Sequence, residues 1–219
     1  FYVKGISIDE DFSSDLGFIR RTGIFKGIVS AERVFWPKKG IIQNHGFQFF
    51  PIFLWDPSLD FKNTDYDLMS TWEVTFKNQS QLEIGITNSF TFLFNNFDPT
   101  NTDGALELPG DQGYHYNSVK FGYQSDKRKL FAFKVGSDVG SFYNGKRFSL
   151  ESMMIMRFQP KVFLSLILNY DQITLPEPYT SADIWLISPK IDVTFSKSIF
   201  WSTLIQYSNQ RDNLGLNSR

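Results

Sequence analysis

Asp65-Tyr-Asp-Leu-Met-Ser-Thr-Trp-Glu-Val-Thr-Phe-Lys77, followed shortly by Leu82-Glu-Ile-Gly-Ile-Thr-Asn-Ser-Phe-Thr-Phe-Leu-Phe94, decides the fold. In the first stretch Tyr66, Leu68, Ser70, Trp72, Val74 and Phe76 alternate with Asp65, Asp67, Met69, Thr71, Glu73, Thr75 and Lys77. In the second, Leu82, Ile84, Ile86, Asn88, Phe90, Phe92 and Phe94 alternate with Glu83, Gly85, Thr87, Ser89 and Thr91. A period of two is the signature of a strand, because successive side chains leave a pleated backbone on opposite faces. Only Asn78, Gln79 and Ser80 separate the two runs, so they are expected to form a hairpin with one apolar and one polar face.

The pattern recurs outward from this hairpin. Phe148, Leu150, Met154, Met156 and Phe158 oppose Arg147, Ser149, Glu151 and Arg157. Val162, Leu164, Leu166, Leu168 and Tyr170 oppose Ser165, Asn169 and Asp171. Trp185, Ile187, Ile191, Val193 and Phe195 oppose Ser188, Lys190, Asp192 and Thr194, and Ile199, Trp201, Ile205 and Tyr207 oppose Ser202, Gln206 and Ser208. Weaker alternation marks 27–36, 41–54, 114–124 and 129–139. This gives about ten strands of roughly ten residues between positions 26 and 210, the length of a tilted membrane strand, with 1–25 expected to be a loop or lead-in.

The connections are expected to alternate in length. Short links fall at 37–40, 77–80, 125–128, 159–161 and 196–198; longer ones fall at 56–64, 95–112, 141–146, 173–183 and 209–215. Tight turns on one side and loops on the other are the habit of an outer-membrane barrel, whereas a soluble sandwich has Greek-key crossovers. Composition agrees. Aromatic residues make up 17% of the chain, with 24 Phe, while mean hydropathy is slightly polar at -0.23. A wall facing lipid and enclosing a polar interior needs both properties. The longest apolar runs, 47–54 and 162–168, are far shorter than the ~20 residues of a membrane helix.

The expected fold is therefore all-β: an antiparallel up-and-down transmembrane β-barrel, with residues 1–219 forming an incomplete part of one barrel domain. Leu214, Leu216 and Asn217 restart the alternation before Arg219, and no export signal is visible at Phe1. Further strands are expected beyond both ends, giving about 14 to 16 in all. Glu73, Glu83, Arg147, Glu151, Arg157, Lys190 and Asp192 are the candidate polar residues of the lumen. Trp72, Trp185, Trp201 and Tyr207 are the candidate interfacial aromatics. The expected location is the bacterial outer membrane, with its lipid as partner.

Two places carry a family resemblance. Asp15-Leu-Gly-Phe-Ile-Arg-Arg-Thr-Gly23, and the tail from Ser198-Ile-Phe-Trp201 through Gln206-Tyr-Ser-Asn-Gln210 to Asp212-Asn-Leu-Gly-Leu-Asn-Ser-Arg219, resemble a Gram-negative outer-membrane family. In that family a carbohydrate-binding family 9-like domain precedes a C-terminal barrel domain of unknown function. The resemblance covers about Asp15 to Arg219, all within the barrel part. It implies no catalytic residue, and it implies a role in glycan binding or uptake, or within a larger envelope assembly of proteins.

Several chemistries lack support in the residues. With 22 basic and 23 acidic residues and a net charge of -1, no basic excess exists for nucleic acid. Cysteine is absent, and His45 and His115 are the sole histidines, so thiolate and three-histidine metal sites are excluded. His45, within 41–54, reads as a lumen side chain rather than a base, and His115 reads similarly. Asp98-Pro-Thr-Asn-Thr-Asp-Gly104 has the oxygen spacing of a calcium loop, but Pro109 stands where its closing Glu belongs, so it reads as an exposed loop. No catalytic, cofactor or metal site is expected. The leading expectation is a non-enzymatic channel or subunit of an envelope complex. A soluble β-sandwich binding glycans through Trp36, Trp55 and Trp72 is the second reading, and a membrane-embedded barrel hydrolase with a histidine base is the third.

Overall fold

The central hairpin takes the form its alternation demands. In the computed structural model, which describes residues 1–13, 21–158, 160–210 and 212–219, it becomes β4 (Lys62–Phe76) and β5 (Gln81–Leu93). Before it run β1 (Tyr2–Ile8), β2 (Ile24–Phe35) and β3 (Ile42–Asp56). After it come β6 (Gln112–Gln124), β7 (Phe131–Phe142), β8 (Gly145–Phe158) and β9 (Val162–Thr174). The series ends with β10 (Ala182–Thr194), β11 (Phe200–Ser208) and β12 (Asn213–Ser218). All twelve form one antiparallel sheet in sequence order, and no crossover of the kind a Greek-key sandwich requires is present among the described residues.

Three expectations change. Twelve strands replace about ten, and one of them, β1, lies within 1–25, where a loop was expected; its seven residues pair with β2 from Tyr2↔Ser30 to Ile8↔Ile24. The link at 141–146 is not long: β7 ends at Phe142 and β8 starts at Gly145, leaving Tyr143 and Asn144 as the whole turn. Tyr143 takes a positive φ of 49°, the backbone reversal that lets so short a turn close. Connection lengths therefore do not alternate strictly, although the long loops still share one end of the sheet. The sheet is open, as an incomplete part of a barrel would be: β1 pairs with β2 alone and β12 with β11 alone among the described residues.

The register fixes which side chains share a face, since direct cross-strand partners point the same way. From Glu73 the row runs through Glu83, Gly122, Gly136 and Glu151 to Asn169. On the opposite face a row runs from Ser70 through Ile86, Val119 and Val139 to Phe148. One face is thus polar from β4 to β9 and the other apolar. A one-residue slip anywhere would exchange them.

Most of the apolar face is exposed, Val74 near the β4–β5 turn being a buried exception. Ile86, Val119 and Val139 are 59%, 50% and 51% exposed. Seven hydrophobic side chains are buried in the described residues, whereas thirty-six large ones are exposed. Sequestering a side chain of this size is worth roughly 1.5–3 kcal/mol, so a sheet with its apolar face in water would forgo most of its hydrophobic stabilisation.

Candidate functional site

The polar face carries the charge chemistry. All seven candidate polar residues fall on it: Glu73, Glu83 and Glu151 on the row above, Arg147 opposite Gly140, Arg157 opposite Phe163, and Lys190 opposite Ser165. Asp192 also faces Phe163. Neighbouring strands pair their charges. Lys120 Nζ lies 2.7 Å from Glu83 Oε1, and Arg147 lies 2.6 Å from Asp171, which also accepts from Ser149 Oγ. Lys190 donates to Asp192 at 2.8 Å, and Ser202 Oγ donates to its other oxygen at 2.6 Å. Arg157 donates to the Lys127 carbonyl at 2.6 Å. Glu73 has no such cation among the described residues and stands directly opposite Glu83.

Residues outside the seven candidates complete this face near the loop end. Arg21 reaches from the β1–β2 connection to Asp65 at 2.7 Å and lies over the Phe94 ring. Ser89 donates to Asp67 at 2.6 Å. The β5–β6 loop folds over the same region. Phe97 and Leu108 form a β-bridge within it, Leu108 is fully buried, and the Phe97 ring is 5.7 Å from that of Tyr143. Tyr143 in turn packs on Tyr114 and Tyr116, two polar-face residues of β6. The loop's far side receives a hydrogen bond of 3.1 Å from Gln210 Nε2, in the β11–β12 turn, to the Thr100 carbonyl. The one advance sign of this inward packing is the presence of Phe97 and Leu108 amid turn-forming residues.

The Asp98 segment is a self-satisfied turn. Its carboxylate accepts from the Thr100 amide at 2.9 Å, the Thr100 hydroxyl at 2.7 Å and the Thr102 amide at 2.7 Å. Burial pushes the Asp98 pKa up, but the Thr100 hydroxyl and the two amides outweigh it and leave it below the usual carboxylate value. Its oxygens are thereby committed to the loop itself. No group of three or more potential metal ligands occurs among the described residues.

The histidines overturn their reading as lumen side chains. His45 stands opposite Val74 and His115 opposite Phe90, on the apolar face. His45 stacks on Phe35 with centroids 5.2 Å apart and meets the Trp72 indole N–H at 3.4 Å. His115 lies 4.5 Å from Phe90 and 3.3 Å from the Tyr66 hydroxyl. Both serve as members of aromatic rows, a use invisible to a rule that files histidine with polar residues.

There are two such rows. Near the loop end Phe25, Trp55, Phe53, Tyr66, Phe90 and His115 touch in succession, at centroid distances of 5.8, 5.6, 6.1, 5.7 and 4.5 Å. Farther along the sheet Tyr170 and Trp185 meet at 4.2 Å. Near the tight-turn end lie Phe35, His45, Trp72 and Phe47, then Tyr123 and Phe133. Of the candidate aromatics, Trp72 and Trp201 belong to the tight-turn end, and Trp185 and Tyr207 to the loop end. Trp201 is held by its indole N–H donating to Ser218 Oγ at 3.0 Å. Trp36 and Trp55 lie at opposite ends, so the structure does not gather Trp36, Trp55 and Trp72 into one sugar-stacking platform.

Comparison with family models, curated proteins and solved structures finds no match to this chain.

Proposed function

We propose that this chain forms the wall of a bacterial outer-membrane β-barrel, with the ring-bearing face against lipid and the charged face around a lumen. In this reading it acts without enzymatic chemistry, as a channel or as a subunit of a larger envelope complex. The observation that carries the reading is the exposed apolar face, two aromatic rows bracketing an aliphatic band. Water penalises such a surface, while a bilayer calls for aliphatics at its centre and amphipathic rings at its two interfaces. The charge-paired opposite face supports it, because ion pairs between strands are tolerable in a wet interior and costly in hydrocarbon. Strands of fifteen residues, as in β3 and β4, extend roughly 50 Å and exceed what a tilted crossing needs. A link to glycan binding or uptake rests on the family resemblance of the tail; the other quoted motif falls mostly on 15–20, outside the described residues.

The test is biochemical. The protein should require detergent for extraction, migrate differently on a gel before and after boiling, and insert into vesicles in a protease-resistant form. Recovery as a stable monomer in plain buffer would overturn the proposal.

A further inference from the structure

The near-zero net charge conceals a separation of charge between the two ends of the sheet. Each of the five connections at the tight-turn end carries a cation. They are Lys38 and Lys39 between β2 and β3, Lys77 between β4 and β5, and Lys127-Arg128-Lys129 between β6 and β7. Lys161 follows between β8 and β9, and Lys197 between β10 and β11. Their one described acid is Asp126, which Arg128 holds at 2.9 Å; the lysines are all exposed and have no acidic partner among the described residues. The opposite end is acidic, with Asp98, Asp103, Glu107 and Asp111 in the β5–β6 loop alone.

A second, independent observation lies on the apolar face at the basic end. Arg33 of β2 stands opposite Phe47, exposed, two residues before the strand ends. It makes no ion pair among the described residues, and its guanidinium lies 5.2 Å from the Phe35 ring centre. Arg33 itself lines an open groove of about 510 Å³ whose apolar side chains include Phe47, Phe49, Trp72, Ile84 and Ile86, with Glu32, Gln48, Ser70 and Thr71 also on its wall. An uncompensated cation above an acyl-chain-sized apolar groove is costly unless its head reaches an anion at the level of the rim, and a guanidinium matches phosphate with paired donors.

We infer that the tight-turn end is a docking rim for anionic phospholipid, with the turn lysines in the headgroup layer and Arg33 holding a phosphate whose acyl chain lies in the neighbouring groove. The inference rests on the membrane-barrel reading and adds to it a lipid class and a side. Each Lys or Arg close to an anionic surface raises partitioning roughly fivefold, and lysines from five turns surround the rim.

The experiment uses the full chain in detergent, titrated with phosphatidylglycerol or phosphatidylcholine and read by native mass spectrometry, alongside insertion into vesicles made with either lipid. Phosphatidylglycerol should be retained at least about fivefold more than phosphatidylcholine. Arg33→Gln combined with Lys127→Gln and Lys129→Gln should abolish that preference, whereas Asp103→Asn with Glu107→Gln at the other end should leave it intact. Gel migration before and after boiling verifies that each variant is folded. Insertion into both vesicle types with no lipid preference, or a preference untouched by the basic-end variants, overturns the inference while leaving the barrel reading standing. A protein that stays in the supernatant of both vesicle types overturns both.

Discussion

Trp72 and Trp185 lie on one continuous row of cross-strand partners, through Ile84, Phe121, Ser137, Leu150 and Tyr170. Yet Trp72 lies four residues from the tight-turn end of β4, and Trp185 three from the loop end of β10. A row that climbs from one end to the other means that successive strands are staggered, and stagger of this kind accompanies the strand tilt of a rolled sheet. The stagger places these two tryptophans in opposite aromatic rows.

That placement yields the first prediction. Variants retaining Trp72 or Trp185 alone, in vesicles of brominated phospholipid, should be quenched more strongly by bromine near the headgroup than by bromine at the chain ends. Equal protection at every depth would mean that these rings do not face lipid.

The Arg147–Asp171 pair gives the second. Asp171 accepts from both Arg147 and Ser149, so Asp171→Ala leaves two donors without their partner. Arg147 is 39% exposed, so solvent screens the pair and the expected loss is small, about 1 kcal/mol. Urea unfolding of the vesicle-inserted protein should show a lower midpoint for Asp171→Ala and a smaller change for Asp171→Asn. An unchanged midpoint for both would remove the pair from any account of wall stability.

The hairpins were the most legible part of the molecule, because alternation and face assignment are local properties of Asp65–Lys77 and its repeats. What escaped was set by partners distant in sequence. His45 and His115 were filed with polar residues, and it is the rings of Phe35, Trp72 and Phe90 across the strand that turn them into members of an aromatic row. Tyr143 falls within the expected link 141–146, and its contacts with Phe97 in the β5–β6 loop and Tyr114 in β6 come from segments distant in sequence. β1 is too short, and the alternation of Tyr2–Ile8 too incomplete, to stand out from sequence.

Tyr143 supplies a pH prediction. Burial first, then the nearby Tyr116, Asp65 and Tyr114, push its phenol up to about 12 from the ordinary 10. With the folded value above the unfolded one, its contribution to stability is intact below pH 10 and is lost as the pH rises toward 12, since the unfolded chain ionises first. Absorbance titration at alkaline pH should therefore show a late phenol that Tyr143→Phe removes. A titration identical in wild type and variant would refute the buried placement of this ring.

The β5–β6 loop provides the last. It is fastened on one side by the Phe97–Tyr143 ring contact and on the other by Gln210, while Gly110 at its base leaves no room for a side chain: a Cβ there would fall 2.6 Å from the Asn95 carbonyl carbon. Gly110→Ala must therefore spread the loop base, and Gln210→Ala releases the opposite anchor at a cost of about 1 kcal/mol. If the polar face lines a conducting lumen, the loop narrows its mouth, and both variants should raise single-channel conductance in planar bilayers above that of the wild type, Gly110→Ala more than Gln210→Ala. Because the loop brings Asp98, Asp103 and Glu107 to that mouth, a protein made Asp103→Asn and Glu107→Gln should also lose part of its preference for cations over anions, read as a shift in reversal potential under a salt gradient. Conductance indifferent to all of these changes would mean that the loop does not border the path, and that the polar face serves to hold the wall together rather than to pass solutes.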